Sequence, residues 1–184
     1  MIQAGSSILY ALPGERSLAA NATNLQSLNL QRSRLTLADF IRAVGLNITS
    51  DGFTVEESWQ RLLELPENTN QSIEIGFRSD GEGLEAGLYA FRIDSPQLGR
   101  QFSDVNFLLV VSPVQLTLKE SDTELLVWAT DLENGRVVSN RTVTVFDASG
   151  NTLGRATSNG DGIARISLSE QRERYQTLIA VLGE

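Results

Sequence analysis

Cysteine and histidine are absent from all 184 residues, and lysine occurs once, at position 119. Without cysteine there are no disulfides, no thiolate nucleophile and no zinc–thiolate site. Without histidine, the commonest general base and the commonest metal ligand are both missing. Cysteine-free chains occur in several compartments, but an extracellular animal protein of a β-rich kind usually carries a disulfide, which favours a bacterial origin. No apolar run reaches the roughly 18 residues of a membrane span. The opening MIQAGSSILY lacks the basic region of a secretory signal, so a signal for export is not expected in this stretch. Positive charge is sparse: 15 Lys and Arg stand against 23 Asp and Glu, a net charge of -8. The deficit is spread over both halves, and no basic patch or run exists. Nucleic acid and anionic membrane surfaces are therefore poor partners.

Alternation and glycine are what the chain does have. Glu124–Leu168 reads ELLVWATDLENGRVVSNRTVTVFDASGNTLGRATSNGDGIARISL, three apolar-alternating runs cut apart by Asn-Gly, Ser-Gly and Gly-Asp-Gly. Alternation marks half-buried strands, and glycine supplies the positive backbone angles of tight turns. Strands are expected at Val114–Leu118, Glu124–Thr130, Thr142–Asp147, Thr152–Ala156, Gly162–Leu168 and Thr177–Leu182, with a charged loop or helical turn at Gln171–Tyr175. Sandwiches of immunoglobulin type usually have about seven strands. Six strands and a stop directly after the last one read as a module lacking its final strand, in a segment of something longer.

The first half mixes periods. Strands are expected at Ser6–Leu12, Ser17–Thr23, Leu25–Leu35, Ser72–Arg78, Gly87–Ile93 and Val105–Val111, the last a continuous apolar run suited to burial on both faces. Between them, Leu37, Phe40, Ile41 and Val44 share one helical face behind a Thr36 cap, which predicts a helix over about 36–45. Thr54-Val55-Glu56-Glu57 matches a capping box, with Val55, Trp59, Leu62 and Leu63 on one face before Pro66, which predicts a second helix over about 54–65. Ser112-Pro113 marks a boundary. The expected organisation is a β-sandwich with two short helices over residues 1–112 and a second sandwich over 113–184, both antiparallel and joined by a short linker.

No constellation of side chains reads as a catalytic site. Asn159-Gly160-Asp161-Gly162 lacks the six to eight oxygens of a calcium loop and reads as a turn. Glu56-Glu57 and Asp80-Glu82-Glu85 are carboxylate clusters, but a glycosidase pair must flank a cleft with separated pKa values, and these belong to a cap and a glycine-rich turn. Lys119 sits on an alternating strand with nothing to make a Ser/Lys dyad. Trp59 and Trp128 both read as core packing. Asn21, Asn47, Asn70 and Asn140 begin Asn-X-Ser/Thr triplets at a frequency chance explains. Catalytic, cofactor-binding and metal-ligating residues are each expected to be absent, and no cofactor is implied.

One family pattern runs through the second half. Phe107–Lys119, Leu125–Asp131, Gly135–Val138, Val143–Gly150 and Thr157–Ala164 follow in order the motifs of the amino-terminal macroglobulin-like domains of bacterial alpha-2-macroglobulins, which they resemble. The family's proline is Val137 here, and the Thr157–Gly162 turn is one residue longer. Ala11–Phe40 and Gly87–Pro96 resemble the preceding domain more loosely. The resemblance implies a non-catalytic scaffold fragment of an extracytoplasmic bacterial protease inhibitor, which entraps a protease after bait cleavage and often captures it through a Cys-Gln thioester. Its partners would be neighbouring domains of the same chain and, through the whole protein, target proteases, with no membrane contact from this segment. The alternative is a pair of immunoglobulin-like modules from a bacterial surface adhesion or structural protein.

Overall fold

The computed structural model describes residues 2–3, 8–46, 52–97, 105–168 and 177–183. The expectations for Asn47, Gln171–Tyr175, the start of the Ser6–Leu12 strand and most of the link before Val105 fall outside them. The chain divides into two compact units, one of Met1–Phe40 and Ile48–Ser112, the other of Ile41–Asn47 and Pro113–Glu184. Both are built mainly of strands, and one helix, α1 (Leu37–Leu46), occurs among the described residues.

The first unit is a two-sheet sandwich. A three-stranded sheet orders β1 (Ile2–Gln3), β3 (Ser17–Ala22) and β6 (Gln71–Gly76). A five-stranded sheet orders β2 (Ile8–Ala11), β8 (Val105–Val111), β7 (Gly87–Asp94), β4 (Ser27–Leu35) and β5 (Glu57–Leu62). Alternate residues of both sheets meet in one core: Leu28 and Leu30 of β4, Phe91 and Ile93 of β7 and Phe107 of β8 face Ile73 and Ile75 of β6. Phe91 stacks on Phe107 at 5.0 Å between ring centres, and Phe77 tilts against Phe91 at 5.8 Å. Each such side chain contributes roughly 1.5–3 kcal/mol when removed from water. β8 lies between two neighbours, and its consecutive Phe107, Leu108 and Leu109 are all buried, as the unbroken apolar run requires.

Two expectations fail here. The sheet is mixed, because β2 and β8 pair in parallel, Ile8 opposite Leu108. β2 leads into β3 of the other sheet, so no hairpin fixes its direction, and nearly the whole unit serves as the crossover that parallel pairing needs. The larger correction concerns residues 54–65. Glu57–Leu62 is strand, with inward positions alternating from Glu57 through Trp59 and Arg61. It pairs antiparallel with β4, Leu30 opposite Trp59 and Arg32 opposite Glu57, and the Leu63 amide continues the ladder to the Gln26 carbonyl. A helix would have buried Val55 and Leu62, yet Leu62 is 76% exposed while Trp59 and Leu63 pack on the core. The open hydrogen-bonding edge of β4 decides the outcome over local helix preference.

The first helix forms as its cap predicts: the Asp39 amide donates to the Thr36 hydroxyl oxygen at 3.1 Å, and the hydroxyl donates to the Asp39 carboxylate at 2.7 Å. Phe40, Ile41 and Ala43 form its buried face.

The second unit is a smaller sandwich with strands at all six expected places. One sheet orders β13 (Ile163–Ser167), β10 (Glu124–Asp131) and β9 (Val114–Glu120); the other orders β12 (Thr152–Thr157), β11 (Thr142–Asp147) and β14 (Leu178–Leu182). Leu125 and Val127 of β10, Val143 and Val145 of β11, and Ala164 and Ile166 of β13 form the core between them. At Gly154 an added Cβ would lie 2.2 Å from the Ile166 side chain, so the sheets approach there only because that residue has no side chain.

Candidate functional site

Arg32, the one charged residue buried among the described residues, centres a cluster of ion pairs. β4 alternates Leu28, Leu30, Arg32 on its inward face, so a guanidinium occupies the next core position after two leucines. Its side chain is 8% exposed and fully engaged. Nη1 donates to the Phe77 carbonyl at 3.2 Å, Nε and Nη2 reach the Glu56 carboxylate at 3.3 and 3.2 Å, and Nη2 lies 3.1 Å from Glu57. The Tyr89 ring sits 5.9 Å from the guanidinium carbon. Glu57 also accepts from the Ser79 amide at 3.1 Å and from the Ser79 hydroxyl.

The electrostatics of this cluster favour fixed charge. Partial burial pushes the Glu57 carboxyl up, but hydrogen bonds from Ser79 and the positive charges of Arg32 and Arg78 outweigh it and hold the group below its ordinary range. Burial raises the Tyr89 phenol, which stays protonated and donates to the Glu85 carbonyl at 3.0 Å. A general acid needs a carboxyl held protonated near neutral pH, and Glu57 is shifted the opposite way. The arrangement pins β5 and the Phe77–Ser79 segment to β4. Glu57, expected to cap a helix, thus closes an ion pair between strands.

The carboxylates of the Asp80-Glu82-Glu85 turn each face a single arginine. Asp80 takes two hydrogen bonds from Arg78 and one from the Glu82 amide, while Glu82 and Glu85 lie 3.9 Å from Arg16 and Arg34 respectively. Asn159-Gly160-Asp161-Gly162 is a turn whose oxygen is already used: the Asn159 side-chain carbonyl accepts from the Asp161 and Ile163 amides at 3.0 and 2.9 Å. Asp147 builds a similar turn, and hydrogen bonds from the Asn151 side chain and amide hold its carboxyl below the ordinary range. Among the described residues, no three acidic side chains converge as a metal site would require, and no helix is long and apolar enough to cross a membrane. Lys119 lies exposed on β9, and Asn21, Asn70 and Asn140 are exposed. The structure gathers none of these residues with Arg32; of the residues singled out in the sequence, it brings only Glu56 and Glu57 to that cluster.

Trp128 requires a third correction. Expected in the core, it is 43% exposed, because Leu125, Val127 and Ala129 take the inward face of β10. Both phases of ELLVWAT are apolar, so alternation could not select between them, and the smaller side chains fit the narrow space between three-stranded sheets. Trp128 stands on the outer face opposite Thr117 and Ile163, with Leu126 and Thr130 to either side along the strand. Thr130 pairs across to Val137, itself 42% exposed. Arg32 was equally hidden in the sequence. Its signal was the adjacent Glu56-Glu57 pair, which needs a cation, but the partner lies 24 residues away on another strand.

No protein-family model and no curated protein matches the chain. Solved structures do. Native alpha-2-macroglobulin from Escherichia coli spanning domains MG0-NIE-MG1 is similar over 97% of this chain, with a TM-score of 0.72 at 18% identity, and the chain covers 62% of it. The shorter NIE-MG1 structure from the same organism is matched over 94% of this chain and 93% of its own length, with a TM-score of 0.68 at 18% identity. Salmonella alpha-2-macroglobulin matches over 97% of this chain with a TM-score of 0.62 at 18% identity, while the chain spans 11% of that protein. The two sandwiches, in this order, therefore have the fold of the NIE-MG1 segment of bacterial alpha-2-macroglobulins.

Proposed function

We propose that this chain is a non-catalytic scaffold segment of a bacterial alpha-2-macroglobulin-like protease inhibitor that acts outside the cytoplasm. The observation that carries the reading is likeness across both sandwiches at once, over 94% of this chain and 93% of the NIE-MG1 segment. A single immunoglobulin-like module recurs in many unrelated settings, whereas an ordered pair that begins with a mixed-sheet sandwich is far more restrictive. The first unit would correspond to NIE and the second to MG1. The role fits what the side chains do: Glu56 and Glu57 are held in ion pairs, Asp131 and Asp147 build turns, and a buried arginine locks strands together.

In the parent protein, bait cleavage would drive closure around the protease. These sandwiches would supply stiff walls that move as bodies, since close-packed β-sandwiches resist continuous deformation. Target proteases would meet the whole molecule, and neighbouring domains of the same polypeptide would be this segment's immediate partners. The test is the reading frame that encodes these residues. A long frame with a bait segment, and commonly a Cys-Gln thioester motif, is expected. A short frame of repeated similar modules would sink the inhibitor reading in favour of an adhesion role.

A further inference from the structure

The geometry points to the outer face of the β9–β10–β13 sheet, centred on Trp128 and Val137, as a contact face for another domain of the same longer polypeptide. This rests on the reading of the chain as one segment of an alpha-2-macroglobulin-like protein. The outer face of a small sandwich ordinarily alternates to polar residues. On β10 the outward positions are instead Leu126 and Trp128, with half-buried Ile163 beside Trp128 and Val137 one step along. Trp128 and Val137 remain 43% and 42% exposed. A contiguous exposed apolar patch, unlike a scattered leucine, marks an interaction surface.

The patch is also rigid. β10 is the central strand of its sheet, paired on both sides, so the tryptophan is held in place before any partner arrives. Val137 is fixed by backbone: the Val138 amide donates to the Ala129 carbonyl at 2.9 Å, and a Cβ at Gly162 would fall 2.9 Å from the Val137 Cβ. A fixed, amphipathic aromatic ring among aliphatic neighbours has the form of an interface anchor. Trp128 itself is bordered by Thr117, Ile163 and Thr130, while Lys119 and Arg165 stand opposite Leu126 on its two sides, Arg165 paired with Glu124. The complementary surface is therefore apolar and uncharged at its centre, like the face of another domain. That the occupant belongs to the same chain follows from length: this segment spans 11% of the similar Salmonella protein, leaving most of such a polypeptide available to cover it.

Hydroxyl-radical footprinting of the 184-residue chain and of the full gene product compares Trp128 with Trp59, which packs on the first core and serves as reference. Trp128 oxidation should fall several-fold in the full product while Trp59 changes little. In parallel, Trp128→Arg should lower the melting temperature of the full product more than that of the short chain. Equal oxidation in both proteins, with further inhibitor domains present in the reading frame, overturns this inference and leaves the inhibitor reading standing. A frame without such domains overturns the inhibitor reading itself. Concentration-dependent dimerisation of the short chain that protects Trp128 also overturns the inference, by making a second copy the occupant.

Discussion

Among the described residues, Arg32 is the one charged side chain that is buried. It is buried at the end of a hydrophobic strand face, and its donors are spent on the Phe77 carbonyl, Glu56 and Glu57. Arg32→Ala should cost about 2–3 kcal/mol: the buried carbonyl loses its donor, while the two carboxylates, still partly hydrated, are less penalised than fully buried ones. The shift in urea midpoint checks it. Glu57 gives the pH dependence its sign. Its folded pKa lies below its ordinary value, so the unfolded chain binds more protons in acid, and the stabilisation is complete above that value and lost as pH falls through the folded one. Between about pH 5 and about pH 3 the urea midpoint should fall further for the unaltered chain than for Glu57→Gln. A parallel decline would assign the acid sensitivity elsewhere. Gly162 is constrained twice, by a φ of 75° and by the Ala129 carbonyl, which would stand only 2.8 Å from an added Cβ. Gly162→Ala should cost about 2–4 kcal/mol, whereas Gly160→Ala, with open space around it, should stay within about 0.5 kcal/mol.

At the scale of elements, β5 shows where local pattern stops being informative. A capping box and a four-residue apolar face made a sound local case for helix, but the face splits in the fold, with Trp59 and Leu63 on the core and Leu62 in solvent. The deciding contact is with β4, whose residues lie about 30 positions earlier in the pairing Gln60–Asn29, a non-local term no window of sequence contains. Ser58 discriminates the two outcomes because it is exposed and pairs within the strand, opposite Gln31. Ser58→Thr should be more stable than Ser58→Ala by up to about 0.5–1 kcal/mol, since β-branching favours strand; a helix would reverse the order. The second unit was legible strand by strand because its turns are local. Asp131, Asp147 and Asn159 each accept backbone amides within four residues, so punctuation and geometry coincide. The phase of Trp128 was not legible, because both faces of its strand are apolar and only packing width selects between them.

For the molecule as a whole, the proposed scaffold role asks for stiffness, and two sandwiches with local turns and a buried Arg32 ion-pair cluster fit that proposal. The fold likeness is to the NIE-MG1 segment, and this chain spans 11% of the similar Salmonella protein, so the role proposed above is that of one part of a larger trap. The direct measurement is entrapment by the full gene product. A protease incubated with it should lose activity on a large protein substrate while retaining activity on a small chromogenic peptide, and should migrate with the inhibitor on a native gel; the 184-residue chain alone should do neither. Equal loss of activity on both substrates would indicate active-site blockade, and no loss on either would mean no trap. Either result would contradict the account.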